Sequence, residues 1–289
     1  MAGTARIALA TSEPGLAWDA DLPLMIEALR ARGVDAVAAP WDARDFDWSG
    51  CAAVVIRSTW DYAARRPEYL AWADAVQGAT RLDNPAALVR WNTDKRYLRE
   101  LADSGVPVVP TRFIAPGEAL VLPGEGQFVV KPTVSAGARD TARYAQKHHE
   151  AAAGHVAALH AAGATAMVQP YLSRIDEGER ALVFLGGAFS HAIRKGPVLT
   201  DVGTVDNDRV PHPDLVPYRP SAAELALAGA ALAAVPGSRA LLYARVDIAT
   251  ADDGAPVVME LELVEPNLFM GHGEHGLRRF TDLVLDRAG

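Results

Sequence analysis

Apolar positions fall into strand-length runs and helix-spaced sets by turns along the first part of the chain. Residues 5–10 and 52–56 are largely apolar runs of strand length, the pattern of strands buried on both faces. Between them Leu22, Met25, Ile26 and Leu29 recur at helical spacing over residues 22–32, and Gly33 supplies a stop. Residues 34–37 resume as a strand and residues 67–76 as a helix. The order β-α-β-β-α up to about residue 85 predicts a small open α/β layer.

The pattern changes after the turn signal Asn84-Pro85. A helix is predicted over 93–104, closed by Gly105 and Pro107. Residues 113–114 and 128–130 read as strands, and the Ala-rich stretch 141–162 as helix. Residues 167–169 form a strand that runs into Pro170. Residues 180–184 and 188–194 predict an antiparallel hairpin turning at Gly186-Gly187. Residues 196–220 are rich in Pro, Gly and Asp and carry little periodicity. A connection this long in a compact enzyme is often a lid. A helix follows over 221–234, opened by a capping box of Ser221 and Glu224. Strands at 244–250 and 256–264 and a last helix at 277–286 complete the chain. The expected fold class is α/β (α+β) in three parts. Residues 1–88 form an open α/β domain on the substrate side, 89–168 a small central lid, and 169–289 an antiparallel-sheet domain.

Composition narrows the function. Acidic and basic residues are interspersed around a net charge of −8, so no basic stripe offers itself to nucleic acid. Cys51 is the one cysteine, which excludes a disulfide within the chain and suits a reducing compartment. No run approaches the roughly 20 apolar residues of a membrane span, and the first residues lack a leader's apolar core. A cytoplasmic protein without nucleic-acid or membrane partners is expected.

Three stretches carry chemistry. Lys131 ends a buried strand, where an unpaired ammonium is costly, and is followed by the small residues 133–138. Such a loop lets backbone N–H groups approach an anion, although a lysine that merely reaches solvent beside a turn fits too. Glu260 and Glu262 share one face of a strand, with Met259, Leu261 and Leu263 on the other. Like charges so placed repel unless a cation lies between them. With Asp247 on the neighbouring strand they suit Mg²⁺, which takes a few carboxylates plus phosphate oxygens; a solvated acidic face is the alternative. At Gln169-Pro170-Tyr171-Leu172 a strand opens into a loop that can offer the Leu172 N–H and a carbonyl near Gln169 to an adenine edge. His272 and His275 are too closely spaced for zinc without a third ligand. Gly271 and His272 read instead as a turn that lets backbone approach a substrate.

The order of these features resembles the ATP-grasp superfamily, within it the glutathione synthetase-like branch. The resemblance covers residues 84–270 well. It implies that Lys95 and Lys131 contact ATP phosphates and that the loop carrying Ser135 and Gly137 covers them. It further implies that Gln169, Tyr171 and Leu172 form the adenine hinge, that Glu179 holds the ribose, and that Arg180 and Arg194 flank the transferred phosphate. Asp247, Glu260 and Glu262 would bind Mg²⁺, or Mn²⁺ in its place. The family pattern has Asn where this chain has Glu262, and Asn267 is a second candidate for that place.

The activity so implied is ATP-driven activation of a carboxylate as an acyl phosphate, then attack by nitrogen. Arg57, Ser58 and Thr59 follow a buried strand, where open α/β sheets bind ligands, and Arg57 can fork onto a carboxylate. Asn267, Gly271 and His272 would face the same substrate. The stretch Arg57-Ser58-Thr59-Trp60-Asp61-Tyr62 and the small size are similar to the ligases that cyclise O-ureidoserine to cycloserine. Intermolecular carboxylate–amine ligation and a non-catalytic nucleotide sensor are the alternatives. The expected partner is a small amino-acid-like molecule, and a homodimer stays open.

Overall fold

The computed structural model describes residues 5–199, 201–207, 214–273 and 275–288. The first layer comprises β1 (Arg6–Thr11), α1 (Glu13–Trp18), α2 (Asp21–Arg30), β2 (Asp35–Pro40), β3 (Ala53–Ile56), α3 (Arg66–Ala79) and β4 (Arg81–Asp83). Its strands form a parallel sheet in the order β2-β1-β3-β4. Both faces are covered, which is why the strands read as unbroken apolar runs. Ile7 and Leu9 pack with Leu22, Met25 and Leu29 of α2. Ala8 and Ala10 pack with Tyr69, Leu70 and Ala73 of α3 on the other side.

Two short helices, α4 (Ala86–Asn92) and α5 (Tyr97–Asp103), lead into a second, antiparallel sheet. It contains β5 (Arg112–Ile114), β6 (Gln127–Pro132), β7 (Ala142–Ala145) and β8 (Ala166–Pro170), in the order β5-β8-β6-β7, with α6 (His149–Ala161) packed on Phe128, Val130 and Tyr144. The single helix expected over 93–104 begins only at Tyr97. The Lys95 N–H donates to Thr133 O (2.8 Å) and the Arg96 N–H to Asp94 Oδ1 (3.1 Å), so these donors leave the helical ladder. The Ala-rich stretch also departs from expectation. Its first residues pair with β6 as β7, and the helix starts at His149. Burial of Ala142 and Tyr144 on alternate positions outweighs the helix propensity of alanine.

The third sheet is antiparallel and runs β11-β10-β9-β12-β13. Its strands are β9 (Glu179–Leu185), β10 (Ala188–Lys195), β11 (Val216–Tyr218), β12 (Tyr243–Thr250) and β13 (Pro256–Glu262). The β9–β10 hairpin turns at Gly186 (φ 57°) and Gly187 (φ 78°), the left-handed pair a two-residue turn needs. Helix α7 (Ala222–Ala233) covers one face and opens with the expected box: Glu224 N–H donates to Ser221 Oγ (3.2 Å) and Ser221 N–H to Glu224 Oε2 (2.8 Å). Two bulges interrupt the sheet, one between Phe189 and His191 and one between Asp247 and Ile248.

Asparagines staple the layers together. Asn84 Nδ2 donates to Tyr243 O (3.0 Å) and Leu263 O (2.6 Å), and its Oδ1 accepts from Leu242 N–H. Asn92 bridges Leu261 O and Leu263 N–H in the same way. The last helix, α8 (Gly276–Ala288), returns to the first layer, where Phe280 and Val284 join the α2 core. No helix among the described residues is long and apolar enough to cross a membrane.

Candidate active site

Strand alternation assembles the charged face of the third sheet. Asp247 stands opposite Glu260, and Arg245 opposite Glu262, across β12 and β13. Glu179 stands opposite Lys195 across β9 and β10. All six side chains meet on one face. Lys195 Nζ lies 2.6 Å from Asp247 Oδ2 and 2.8 Å from Glu179 Oε2. Arg245 donates to Asp247 Oδ1 (2.8 Å) and Oδ2 (3.0 Å), bonds Glu262, and reaches Asn267 O (3.0 Å).

The second sheet brings cations to the same chamber. Lys95 Nζ donates to Ser135 O (2.7 Å) and lies 3.0 Å from Glu260 Oε1. The Lys131 side chain has no hydrogen bond or ion pair among the described residues. Its charge nonetheless acts on Glu260, so the ammonium lies within electrostatic reach of the acid cluster. Burial lowers the Lys131 pKa, with Lys95 adding to the effect and Glu260 opposing it. Burial works the same way on Lys95 and Lys195, but Glu260 and Asp247 respectively hold their pKa values above the ordinary one.

The acids divide by surroundings. Burial disfavours the charge on Asp247, yet Arg245 and Lys195 hold it well below the usual carboxylate range. Glu260 is likewise lowered, by Lys95 and Lys131 against burial. Burial pushes Glu262 up to about 7 despite Arg245, with Asp247 and Glu260 adding to the rise. Glu265, beside them, is pushed to about 8 by burial and Glu262. Crowded carboxylates with raised pKa values are poised to receive a cation. Among the described residues no three of them converge on one point, because Lys195, Arg245 and Lys95 stand between them. The donor set of adjacent carboxylates fits a hard divalent ion that completes its shell with phosphate oxygens.

Next to Glu260 along β13, Met259 joins an apolar cluster. Leu172, Ile175, Val109 and Ala249 pack together, with Tyr171, Val257 and Met259 against them. The alternation expected for β13 fails here: the bulge puts Val258 into the α7 core and turns Met259 toward Tyr171 and Leu172. Gln169 Nε2 donates to Thr111 Oγ1 (2.8 Å), which fixes the side chain at the end of β8.

Some expected site residues lie elsewhere. Arg180 and Arg194 face each other across β9 and β10, on the α7 side of the sheet. Arg180 is bound there to Glu224 Oε1 (2.8 Å), Gly178 O and Thr250. Lys195 takes the chamber side instead. The reason is the bulge at Ser190, which shifts the hairpin by one residue and sets Lys195, rather than Arg194, opposite Glu179. Arg57, Ser58 and Thr59 are fully buried. Arg57 Nη2 donates to Pro266 O (3.0 Å) and lies 4.0 Å from Asp19 and 3.9 Å from Asp21, while Asp61 accepts from Trp41. Thr59 bonds Tyr69, and Ser58 O accepts from Ser12. Arg57, with Trp60 Nε1 donating to Glu265 O (2.9 Å), ties the first layer to the 265–266 segment, while Ser58 and Thr59 bond within that layer. Asn267 is half-buried beside Arg245, whereas Gly271 and His272 are exposed on the turn before α8. Glu274, residue 200 and residues 208–211 of the expected cover lie outside the described residues.

A protein described as a cycloserine biosynthesis protein from Streptomyces lavendulae is 41% identical over 97% of this chain and 98% of its own length. The chain belongs to the D-cycloserine synthetase family of ATP-grasp ligases. Residues 7–84 match the model of that family's N-terminal domain, described as D-cycloserine synthetase DcsG, N-terminal domain. A crystal structure of D-cycloserine synthetase DcsG superposes with a TM-score of 0.91 at 39% identity, covering 98% of this chain and all of that one. More distant structures share the fold. A RimK domain ATP-grasp protein from Sphaerobacter thermophilus gives a TM-score of 0.67 at 20% identity over 98% and 99% of the two chains. An ATP complex of D-alanine–D-alanine ligase from Bacillus anthracis gives 0.68 at 13% over 99% and 97%. Membership of the D-cycloserine synthetase family makes the chain an ATP-using ligase.

Sequence reasoning missed three residues of this family member's chamber: Lys195, Arg245 and Met259. Arg245 had a signal, because it precedes Asp247 by two on a strand and must share its face. Lys195 and Met259 depended on bulges that hydrophobic pattern does not mark.

Proposed function

We propose that the chain closes the five-membered ring of cycloserine from O-ureidoserine, working in the cytoplasm on this small amino-acid-like substrate. The near full-length match to a cycloserine biosynthesis protein carries this reading. The substrate carboxylate attacks the γ-phosphorus of ATP, and ADP leaves. The ureido nitrogen bonded to oxygen then attacks the acyl carbon, expels phosphate and loses its proton. The carbamoyl group left on the ring nitrogen departs by hydrolysis.

The chain's contribution to these steps is positioning and charge. Lys95 and Lys131 hold the phosphates from the lid side, under the loop of Ser135 and Gly137. Lys195 and Arg245, on the chamber face, stabilise the transferred phosphoryl group in the places expected for Arg180 and Arg194. The backbone of Gln169, Tyr171 and Leu172 reads adenine, with Met259 beneath it, and Glu179 takes the ribose. Asp247, Glu260 and Glu262 would hold Mg²⁺ or Mn²⁺, which would supply positive charge to the phosphate oxygens. The electrostatics support such an ion: burial and neighbouring acids raise Glu262 and Glu265, and a triphosphate adds further negative charge.

The test is ADP release on adding O-ureidoserine, with cycloserine measured alongside. Equal amounts are expected, and hydroxylamine should divert part of the carboxylate to a hydroxamate. Substrate that leaves ATP cleavage unchanged would remove the ligase reading.

A further inference from the structure

Two stretches from different sheets hold each other, and one of them also accepts from Lys95 through Ser135 O (2.7 Å). After β6 the chain turns through Gly137 (φ 64°), Ala138 (φ 58°) and Asp140 (φ 51°), all left-handed. This conformation is unfavourable for alanine and less so for aspartate, which hydrogen bonds can steady. Asp140 finds them on Asn207. The Asp140 N–H donates to Asn207 Oδ1 (2.8 Å), and Asn207 Nδ2 donates back to Asp140 Oδ1 (3.0 Å). An amide fits this place because it presents an acceptor and a donor together, matching a peptide N–H and a carboxylate.

The same two stretches meet along β7. The Gly203 N–H donates to Arg143 O (2.7 Å), and Arg143 Nη1 reaches Leu199 O (3.4 Å). The Arg143 guanidinium lies 3.6 Å above the Tyr171 ring, whose hydroxyl also approaches Leu199 O (3.5 Å). The contact therefore runs from the apolar cluster at Tyr171 to the loop after β6. Asp140 and Asn207 are both exposed, so their pairing serves no core.

We propose that Asn207 and Asp140 form a clasp that makes the 133–141 loop and residues 201–207 close as one cover, and that this clasp limits loss of the acyl phosphate to water. The inference rests on the acyl-phosphate reading above. In the leak, water attacks the acyl carbon, the carboxylate is regenerated and inorganic phosphate leaves, so ATP is consumed without ring closure. Asn207 is a positioning residue and touches no reacting atom.

Asn207→Ala should lower cycloserine formed per ADP by at least about threefold while substrate-dependent ADP release persists. Asn207→Asp sets two carboxylates against each other and should do the same. Adding Asp140→Asn to that variant restores a donor–acceptor pair with its members exchanged, and coupling should return. An unchanged ratio in Asn207→Ala, or a loss that the exchanged pair does not repair, overturns the clasp. If wild type shows no substrate-dependent ADP release, the ligase reading fails instead. Hydrogen exchange with a non-hydrolysable ATP analogue then still decides the clasp. Amides of 136–142 and 201–207 should slow together in wild type and separately in Asn207→Ala; separate slowing in wild type overturns it.

Discussion

The third sheet carries buried ion pairs on both faces, and they differ in completeness. On the α7 side, Glu224 accepts from Arg180 Nε, Tyr218 OH, and the N–H and hydroxyl of Ser221. Arg180 spends its remaining donors on Gly178 O and Thr250. On the chamber side, the Lys131 side chain has no partner among the described residues, and Glu262 and Glu265 are pushed to about 7 and about 8. Satisfied charge holds a fold together, whereas crowded charge lacking partners waits for something to bind.

Four outcomes test this contrast. Glu224→Ala leaves the Arg180 guanidinium buried without its anion. It should cost about 3–5 kcal/mol of stability in urea unfolding, with little change in turnover per folded molecule. Lys131→Met should do the opposite: activity falls about 10²–10³-fold in the ADP assay, while the melting temperature holds or rises because a buried charge is gone. Similar stability losses in the two variants would erase the distinction.

A pH series sharpens it. Burial alone would raise the Glu224 carboxyl, but Ser221 and Arg180 hold its pKa below the ordinary 4.5. The stability it contributes is therefore complete above about 4.5 and is lost as pH falls through the lower native value. The stability gap between wild type and Glu224→Gln should shrink between neutral pH and about pH 3 by chemical denaturation. A constant gap would mean that ionised Glu224 adds nothing. The smallest effect belongs to Ser221→Ala, which removes one cap of α7 and should cost about 1 kcal/mol.

The sequence foretold the layers better than the faces. The continuous runs around Ile7 and Val54 marked a doubly covered sheet, and Ser221 with Glu224 marked the start of α7 to the residue. Lys131, Asp247 and Glu260 meet in one chamber because each sits at a strand position whose orientation period 2 determines. Arg180 and Arg194 stand away from it for the same reason. Alternation already barred Glu179 and Arg180 from one face, but Lys195 could replace Arg194 only once the extra residue at Ser190 was known. The bulge leaves no clear trace in hydrophobic pattern, since Phe189-Ser190-His191 reads as an ordinary short stretch of strand. The break at residues 93–96 was also hidden, because the partner that takes the Lys95 N–H, Thr133 O, lies far along the chain.

Helix α8 has a consequence for how the molecule is made. Phe280 and Val284 fill the core shared with Leu22, Met25 and Leu29, and Arg287 bonds Asp83 Oδ1 (2.9 Å). Helix α2 is translated long before α8, and the side it turns to α8 stays uncovered until residues 276–288 emerge. During synthesis it must wait, with apolar surface uncovered, for the last stretch of chain. A ribosome stalled before that point would present a nascent protein that chaperones bind, and release of the final helix would end the binding.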